Sequence, residues 1–200
     1  KFDSMLDSVF VVYPDVSSRG IIHEMREMQV MNMGQYAHGN QPIQHMIYLY
    51  AYSGQPWKTQ YWIREVMDKL YNANPDGYCG DEDNGQTSAW YVFSAMGFYP
   101  VCPGSNQYVL GTPYFNKVTL HLENGNTMTI KAEGNSRSNR YIDSMTLNGK
   151  TYTKNYLTHA DIMKGGSIVC AMSAEPNRSR GTQEADFPYS FTNEIKGSEK

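Results

Sequence analysis

Apolar residues follow helical spacing up to about residue 103 and alternate every second position after it. Residues 42–53 (PIQHMIYLYAYS) carry no charge, follow Asn40 as a candidate N-cap and place proline in the first turn, which predicts a helix buried all round. Residues 56–71 (PWKTQYWIREVMDKLY) gather Trp62, Val66, Met67 and Leu70 on one face and leave Lys58, Arg64, Glu65, Asp68 and Lys69 elsewhere. That spacing predicts an outer, half-wet helix. Residues 86–96 (QTSAWYVFSAM) are again uncharged and end at Gly97, a suitable C-cap. Weaker helical patterns cover residues 1–10 and 21–33, separated by a turn over 14–20. Buried helices alternating with amphipathic ones are what two concentric helical layers produce. About five helices are too few to close such a ring, so the expectation is part of a toroid completed by chain before Lys1.

Beyond Pro103 the period shortens. Residues 117–122 (KVTLHL) and 127–132 (TMTIKA) flank Asn124-Gly125, a dipeptide suited to the positive-φ positions of a tight hairpin. Residues 141–147 and 151–153 repeat the pattern around Asn148-Gly149, and residues 167–172 (SIVCAM) supply a further strand. The fold class predicted is α+β: a helical region over 1–103, a small antiparallel β module over 104–175, and a loosely held polar tail over 176–200.

With 17 Lys+Arg against 20 Asp+Glu and no block of like charge, the chain offers little to a phosphate backbone, which argues against nucleic acid. No apolar run reaches the roughly 20 residues of a membrane-spanning helix. Cys79, Cys102 and Cys170 are far apart and form neither a zinc ribbon nor a disulfide framework. The first residues do not resemble a signal peptide and there is no initiator Met, so the chain reads as an excised piece whose export signal would lie elsewhere.

Residues 80–86 (GDEDNGQ) are the most informative stretch, with three adjacent carboxylates at the mouth of an uncharged helix. The plain alternative is an exposed acidic loop in which Asp83 or Asn84 caps the helix. An EF-hand is excluded by spacing, since Gln86 and Val92 hold the positions that need Gly and Glu. If the two uncharged helices run parallel, the loops before them, 34–41 and 77–86, open at the same end and form one polar cleft. Gln35, Tyr36, His38, Asn40 and Gln41 would face Asp81, Glu82, Asp83, Asn84 and Gln86 across it. A helix N-terminus favours an ionised carboxylate, which suits a general base. His23-Glu24 continues as HEMRE and lacks the second His of a zinc protease, and the remaining histidines show no ligand pairing. Serine-nucleophile and phosphate-loop motifs are absent as well. What is left is carboxylate chemistry in an aromatic, hydroxyl-binding cleft, a combination that points to glycosides.

The runs GNQPIQHMIYLYAYSGQPWKT and PDGYCGDEDNGQTSAWYVFSAMGFYPVCPGSNQYVLGTPYF, with NKVTLHLENGNTMTIKA and YIDSMTLNGKTY after them, resemble the C-terminal part of the calcium-dependent exo-acting α-mannosidases of glycoside hydrolase family 92. The resemblance implies the second half of an (α/α)6 toroid followed by the family's closing β segment. It implies hydrolysis with inversion, Asp83 as catalytic base, Asp81 assisting it in holding the attacking water, and a general acid upstream of Lys1. By the same resemblance His23 and Glu24 match the pair that contacts the sugar beyond an α-1,2 bond. Asn40 and Gln41 match the loop beside the calcium, although many members carry Glu where Gln41 stands. Expected partners are a mannose-containing glycan and the upstream part of the same chain, with a periplasmic or extracellular location. The isolated segment is expected to be inactive and to self-associate through the face its missing half would cover. The alternative reading is a non-catalytic carbohydrate-binding or bracing module.

Overall fold

The computed structural model describes residues 1–13, 15 and 22–192, with the backbone alone at residue 23. The expected turn over 14–20 and the last residues of the tail, 193–200, therefore lie outside the described residues, apart from Asp15. Among the described residues the α+β class is plain. Helix α1 (Phe2–Val11) and α2 (His23–Met31) come first, then two 3-10 segments (Gln41–Ile43 and Met46–Tyr52), then α3 (Pro56–Leu70) and α4 (Gln86–Met96).

The predicted α-helix over 42–53 is instead these two 3-10 segments, closed by i→i+3 bonds such as Gln44 N–H to the Gln41 carbonyl at 3.1 Å. Their carbonyls have other customers. The Gln44 carbonyl accepts from the Trp90 indole at 3.2 Å, and the Ala51 carbonyl accepts from the Asn155 amide at 3.2 Å. Tertiary donors thus satisfy groups that an α-helix would use internally. The segment is still a core element: Ile47, Tyr48, Tyr50 and Ala51 are fully buried, while His45 is exposed.

Helix α3 buries Thr59, Gln60, Ile63, Arg64, Val66, Met67 and Leu70, a 3.6-residue stripe rotated from the predicted one. Arg64, expected on the wet face, is buried because its two terminal guanidinium nitrogens find oxygens, while its Nε is buried without a hydrogen-bond partner. It donates to the carbonyls of Pro113 (3.0 Å) and Ser136 (2.8 Å) and to Asn135 Oδ1 (2.9 Å), and lies over the Tyr114 ring. Helix α4 ends as predicted at Gly97, in the left-handed conformation with φ of 103°. Its uncharged surface is not buried all round, since Val92 is 54% exposed.

The strands follow as β1 (Phe98–Tyr99), β2 (Gln107–Leu110), β3 (Lys117–His121), β4 (Thr127–Glu133), β5 (Tyr141–Leu147), β6 (Lys150–Thr151), β7 (Tyr156–Thr158), α5 (His159–Met163) and β8 (Gly166–Ser173). Strands β1, β2 and β7 form one sheet, so a sheet straddles residue 103. The other is ordered β3-β4-β8-β5-β6. It is mixed, not purely antiparallel: β8 pairs parallel with β4 and antiparallel with β5. A capping box between Thr158 and Asp161 starts α5, which turns the chain so that β8 enters beside β4 in the same direction.

The described part of the tail is docked, against expectation. Arg180 is buried and donates to the carbonyls of Tyr152 (3.3 Å) and Lys154 (3.1 Å). Asp186 accepts from the Thr153 hydroxyl at 2.6 Å, and Phe187 packs on Gly54, where any β-carbon would meet its ring at 2.9 Å. Polar composition here serves buried contacts, although Arg180 Nε and Asn155 Oδ1 are buried with no hydrogen-bond partner. Helix α3 joins the two halves: Gln60 Oε1 accepts from the Ile142 amide at 3.0 Å, and Glu65 pairs with Arg140 at 2.5 Å. The strands thereby brace the helical cluster from behind, leaving the loops before residues 41 and 86 free to form a site.

Candidate active site

Those two loops meet as expected. Gly39 and Gly80 pack backbone to backbone: a β-carbon on Gly80 would lie 2.8 Å from the Gly39 α-carbon and carbonyl oxygen. Beyond the glycines, Gln41 Nε2 donates to the Asp81 carbonyl at 2.7 Å and to Thr87 Oγ1 at 3.3 Å. The Thr87 hydroxyl donates to the same Asp81 carbonyl at 3.0 Å. Asn40, Gln41, Asp81 and Asp83 are thus brought onto adjoining loops, with Asn40, Asp81 and Asp83 exposed and Gln41 half-buried.

The three acids divide their labour. Glu82, not Asp83 or Asn84, serves the N-terminus of α4: its Oε2 accepts from the Gly85 amide at 2.6 Å and its Oε1 from the Ser88 amide at 3.2 Å. Hydrogen bonds from the Ser88 side chain and the Gly85 N–H hold the Glu82 carboxyl below its ordinary range. To make that loop, Asp83, Asn84 and Gly85 adopt φ of 49°, 56° and 96° in succession. Left-handed backbone is unfavourable at a non-glycine residue, and two in a row before a glycine are held only because the capping contacts over-determine them. The consequence is chemical: among the described residues the carboxylates of Asp81 and Asp83 accept no hydrogen bond from a side chain or amide, so both stay exposed and open to a ligand.

Beneath the loops lies a buried aromatic floor. His38 is fully buried, with Nδ1 2.8 Å from the Tyr36 hydroxyl, Nε2 2.7 Å from the Tyr71 hydroxyl, and its ring edge-on to Trp90. Burial drives its pKa down to about 3, so it is a neutral structural imidazole. Gln86 Nε2 donates to Gln44 Oε1 (3.2 Å) and the Tyr99 hydroxyl (2.7 Å), which locks the first turn of α4 to the floor. An open cleft of about 480 Å³ adjoins, lined by Tyr71, Tyr78, Tyr91 and Tyr114 with Asn72 and Asn74. Such rings and amides suit polyhydroxylated ligands.

Glu24 stands in the first turn of α2 and His23 opens that helix, its side chain outside what is described. The same helix carries a residue that sequence reasoning overlooked. Glu27 accepts from the Gly39 amide through both carboxylate oxygens, at 3.0 and 3.1 Å. Its only signal in the sequence is its place three residues after Glu24, on the same helical face. No group of three or more His, Cys, Asp or Glu side chains among the described residues makes a metal centre. The exposed or half-buried side chains of Asn40, Gln41, Asp81 and Asp83 nonetheless offer carboxylate and amide oxygens, and with Gln41 Nε2 engaged its Oε1 is the atom left to offer. That set fits a hard divalent cation that takes further ligands from elsewhere.

The description of the glycosyl hydrolase family 92 catalytic domain matches residues 1–174. The chain belongs to glycoside hydrolase family 92. Solved relatives include an inverting mannosidase of this family from Bacteroides thetaiotaomicron, 57% identical, with a TM-score of 0.82 over 95% of this chain and 26% of that one. A family 92 α-mannosidase from the same species is 38% identical with a TM-score of 0.86, over 95% of this chain and 24% of that one. A curated relative, an uncharacterised secreted glycosidase of Arthroderma benhamiae, is 32% identical over 79% of this chain and 21% of its own length. The chain therefore spans about a quarter of the length of the family 92 proteins it matches. Among the described residues, no helix is long and apolar enough to cross a membrane.

Proposed function

We propose that this chain supplies the general base and part of the metal and leaving-group sites of an exo-acting, inverting α-1,2-mannosidase. The observation that carries the reading is the left-handed turn over residues 83–85, which spends Glu82 on the helix and leaves Asp81 and Asp83 open beside the Asn40–Gln41 loop. Asp83 is the base and Asp81 helps to orient the water. The water attacks the anomeric carbon opposite the glycosidic oxygen, gives its proton to Asp83, and the leaving oxygen takes a proton from an acid upstream of Lys1. Asn40 and Gln41 hold calcium with further ligands from upstream, and bound calcium would grip vicinal hydroxyls of the sugar. His23 and Glu24 contact the sugar beyond the bond. The helical region is part of a six-hairpin toroid, and the protein that carries it is exported.

The likeness to two named mannosidases supports this reading over a bracing module. The test is mannose release from α-1,2-linked mannobiose by this chain extended at its N-terminus to the length of its relatives. Release that disappears on chelation and returns with calcium is the expected outcome, and Asp83→Asn should then lower kcat by about 10²–10⁴-fold. No release from a folded, calcium-loaded protein would overturn it.

A further inference from the structure

The two site loops touch through glycines, and contact between glycines has little grip of its own. One polar link crosses between them, the Gln41 amide on the Asp81 carbonyl at 2.7 Å. Glu27 backs the contact. Its two oxygens take the Gly39 amide at 3.0 and 3.1 Å, and it lines one groove with Cys79 and Gly80. One carboxylate therefore binds the residue before Asn40 while lying against the two residues before Asp81. The fit is close: a β-carbon at Gly39 would collide with Glu27 Oε2 and come within 3.1 Å of the Cys79 carbonyl.

We propose that Glu27 is a positioning residue that clamps the Asn40–Gln41 loop to the Asp81–Asp83 loop. It acts on the site through the backbone. A carboxylate with both oxygens on the Gly39 amide fixes that amide in direction as well as distance, and Gly39, held between Glu27 and the Cys79 carbonyl, makes the register of one loop depend on the other. Helix α2 carries this clamp three residues after Glu24, so the helix that opens with His23 and Glu24 also sets the spacing of the loops. Gln at this position keeps one acceptor oxygen but turns a donor toward the Gly39 amide, itself a donor; Ala keeps nothing.

The inference rests on the mannosidase reading for its kinetic arm alone; a second arm is independent of it. In the N-terminally extended protein, on a Cys102→Ser background that removes the exposed thiol, Cys79 reports on the clamp and buried Cys170 reports on global unfolding. Glu27→Ala should speed labelling of Cys79 by an alkylating reagent about 10-fold or more beyond the rate in Glu27→Gln, which loses the same charge, while Cys170 stays protected. It should lower kcat by about 10–100-fold and raise the calcium concentration for half-maximal activity, with Glu27→Gln intermediate in all three. A residue that only stabilises the fold would lower the active fraction and leave the calcium midpoint unchanged. Unaltered Cys79 labelling in Glu27→Ala overturns the clamp. So does an unaltered calcium midpoint in a protein that releases mannose. If Glu27→Ala also exposes Cys170, Glu27→Gln carries the same comparison in a folded protein. If the parent releases no mannose, the mannosidase reading falls and the labelling result decides the clamp.

Discussion

In the β module, Asn148 and Gly149 take φ of 50° and 76° because a two-residue hairpin between Leu147 and Lys150 demands it. At the mouth of α4, Asp83, Asn84 and Gly85 do the same with no hairpin to require it. The first strain is part of a regular ladder; the second is held by one carboxylate, Glu82, and opens two others. Regularity differs in the same way on the larger scale. Strands β3, β4, β5 and β8 complete one another's hydrogen bonds, whereas residues 41–52 leave α-helical geometry and give carbonyls to Trp90 and Asn155. The module behind is built for closure, and the loops in front are built to leave groups unused.

That contrast can be broken at the joint between the halves. Arg64→Ala should cost about 3–4 kcal/mol in denaturant unfolding, because it removes three charged hydrogen bonds and strands the acceptors on Pro113, Asn135 and Ser136. Arg64→Met, which keeps the packed stem, should recover only a minor share. A loss below about 1 kcal/mol would mean that the halves do not depend on this contact.

Acid should separate the halves next. A buried neutral histidine with a pKa near 3 binds its proton less readily folded than unfolded. Its contribution is complete above about pH 6.5 and is lost as pH falls toward 3, on the order of a few kcal/mol. Histidines 121 and 159 of the β module are exposed, so the loss should register at Trp90 fluorescence in the helical half. His38→Gln should flatten the pH dependence between 6.5 and 3; an unchanged slope would remove His38 as its source.

The smallest effect concerns the two Asn-Gly turns. Asn148 is left-handed, and its Oδ1 accepts from the Ser167 amide at 2.7 Å; Asn124 is not left-handed. Only Gly125 is, with the Gly125 amide bonded to the Leu122 carbonyl at 2.9 Å, which makes a three-residue loop of this turn. Asn148→Ala should lower stability by about 1–2 kcal/mol and Asn124→Ala by less, as read by thermal unfolding. Equal losses would mean that turn type does not matter here.

Much of this architecture was legible in the chain. Helix α4 starts at Gln86 and ends at Gly97 as its uncharged run and glycine predict, and the loops before 41 and 86 do converge. What escaped were choices made by distant partners. Nothing local says that Arg64 will find three oxygens beyond residue 112, that Trp90 will claim the Gln44 carbonyl, or that Arg180 and Asp186 will be buried. The parallel pairing of β4 with β8 depends on α5 reversing the chain, a turn too short to register as a periodic signal. At the site, the acids were visible as a cluster, but their roles followed from a backbone twist that no residue type dictates. Glu27 was hidden as well, since its partner is a backbone amide on another loop.

The strand order carries a consequence for synthesis. Strand β8 occupies the middle of its sheet yet comes last in chain order among that sheet's strands, so β4 and β5 both wait with an open edge until residues 166–173 have been made. The residues that follow, through Phe187, then reach back to Asn155 and Gly54. A chain cut between residues 148 and 165 would carry two unpaired strand edges, which makes β8 the safeguard of this sheet against aggregation.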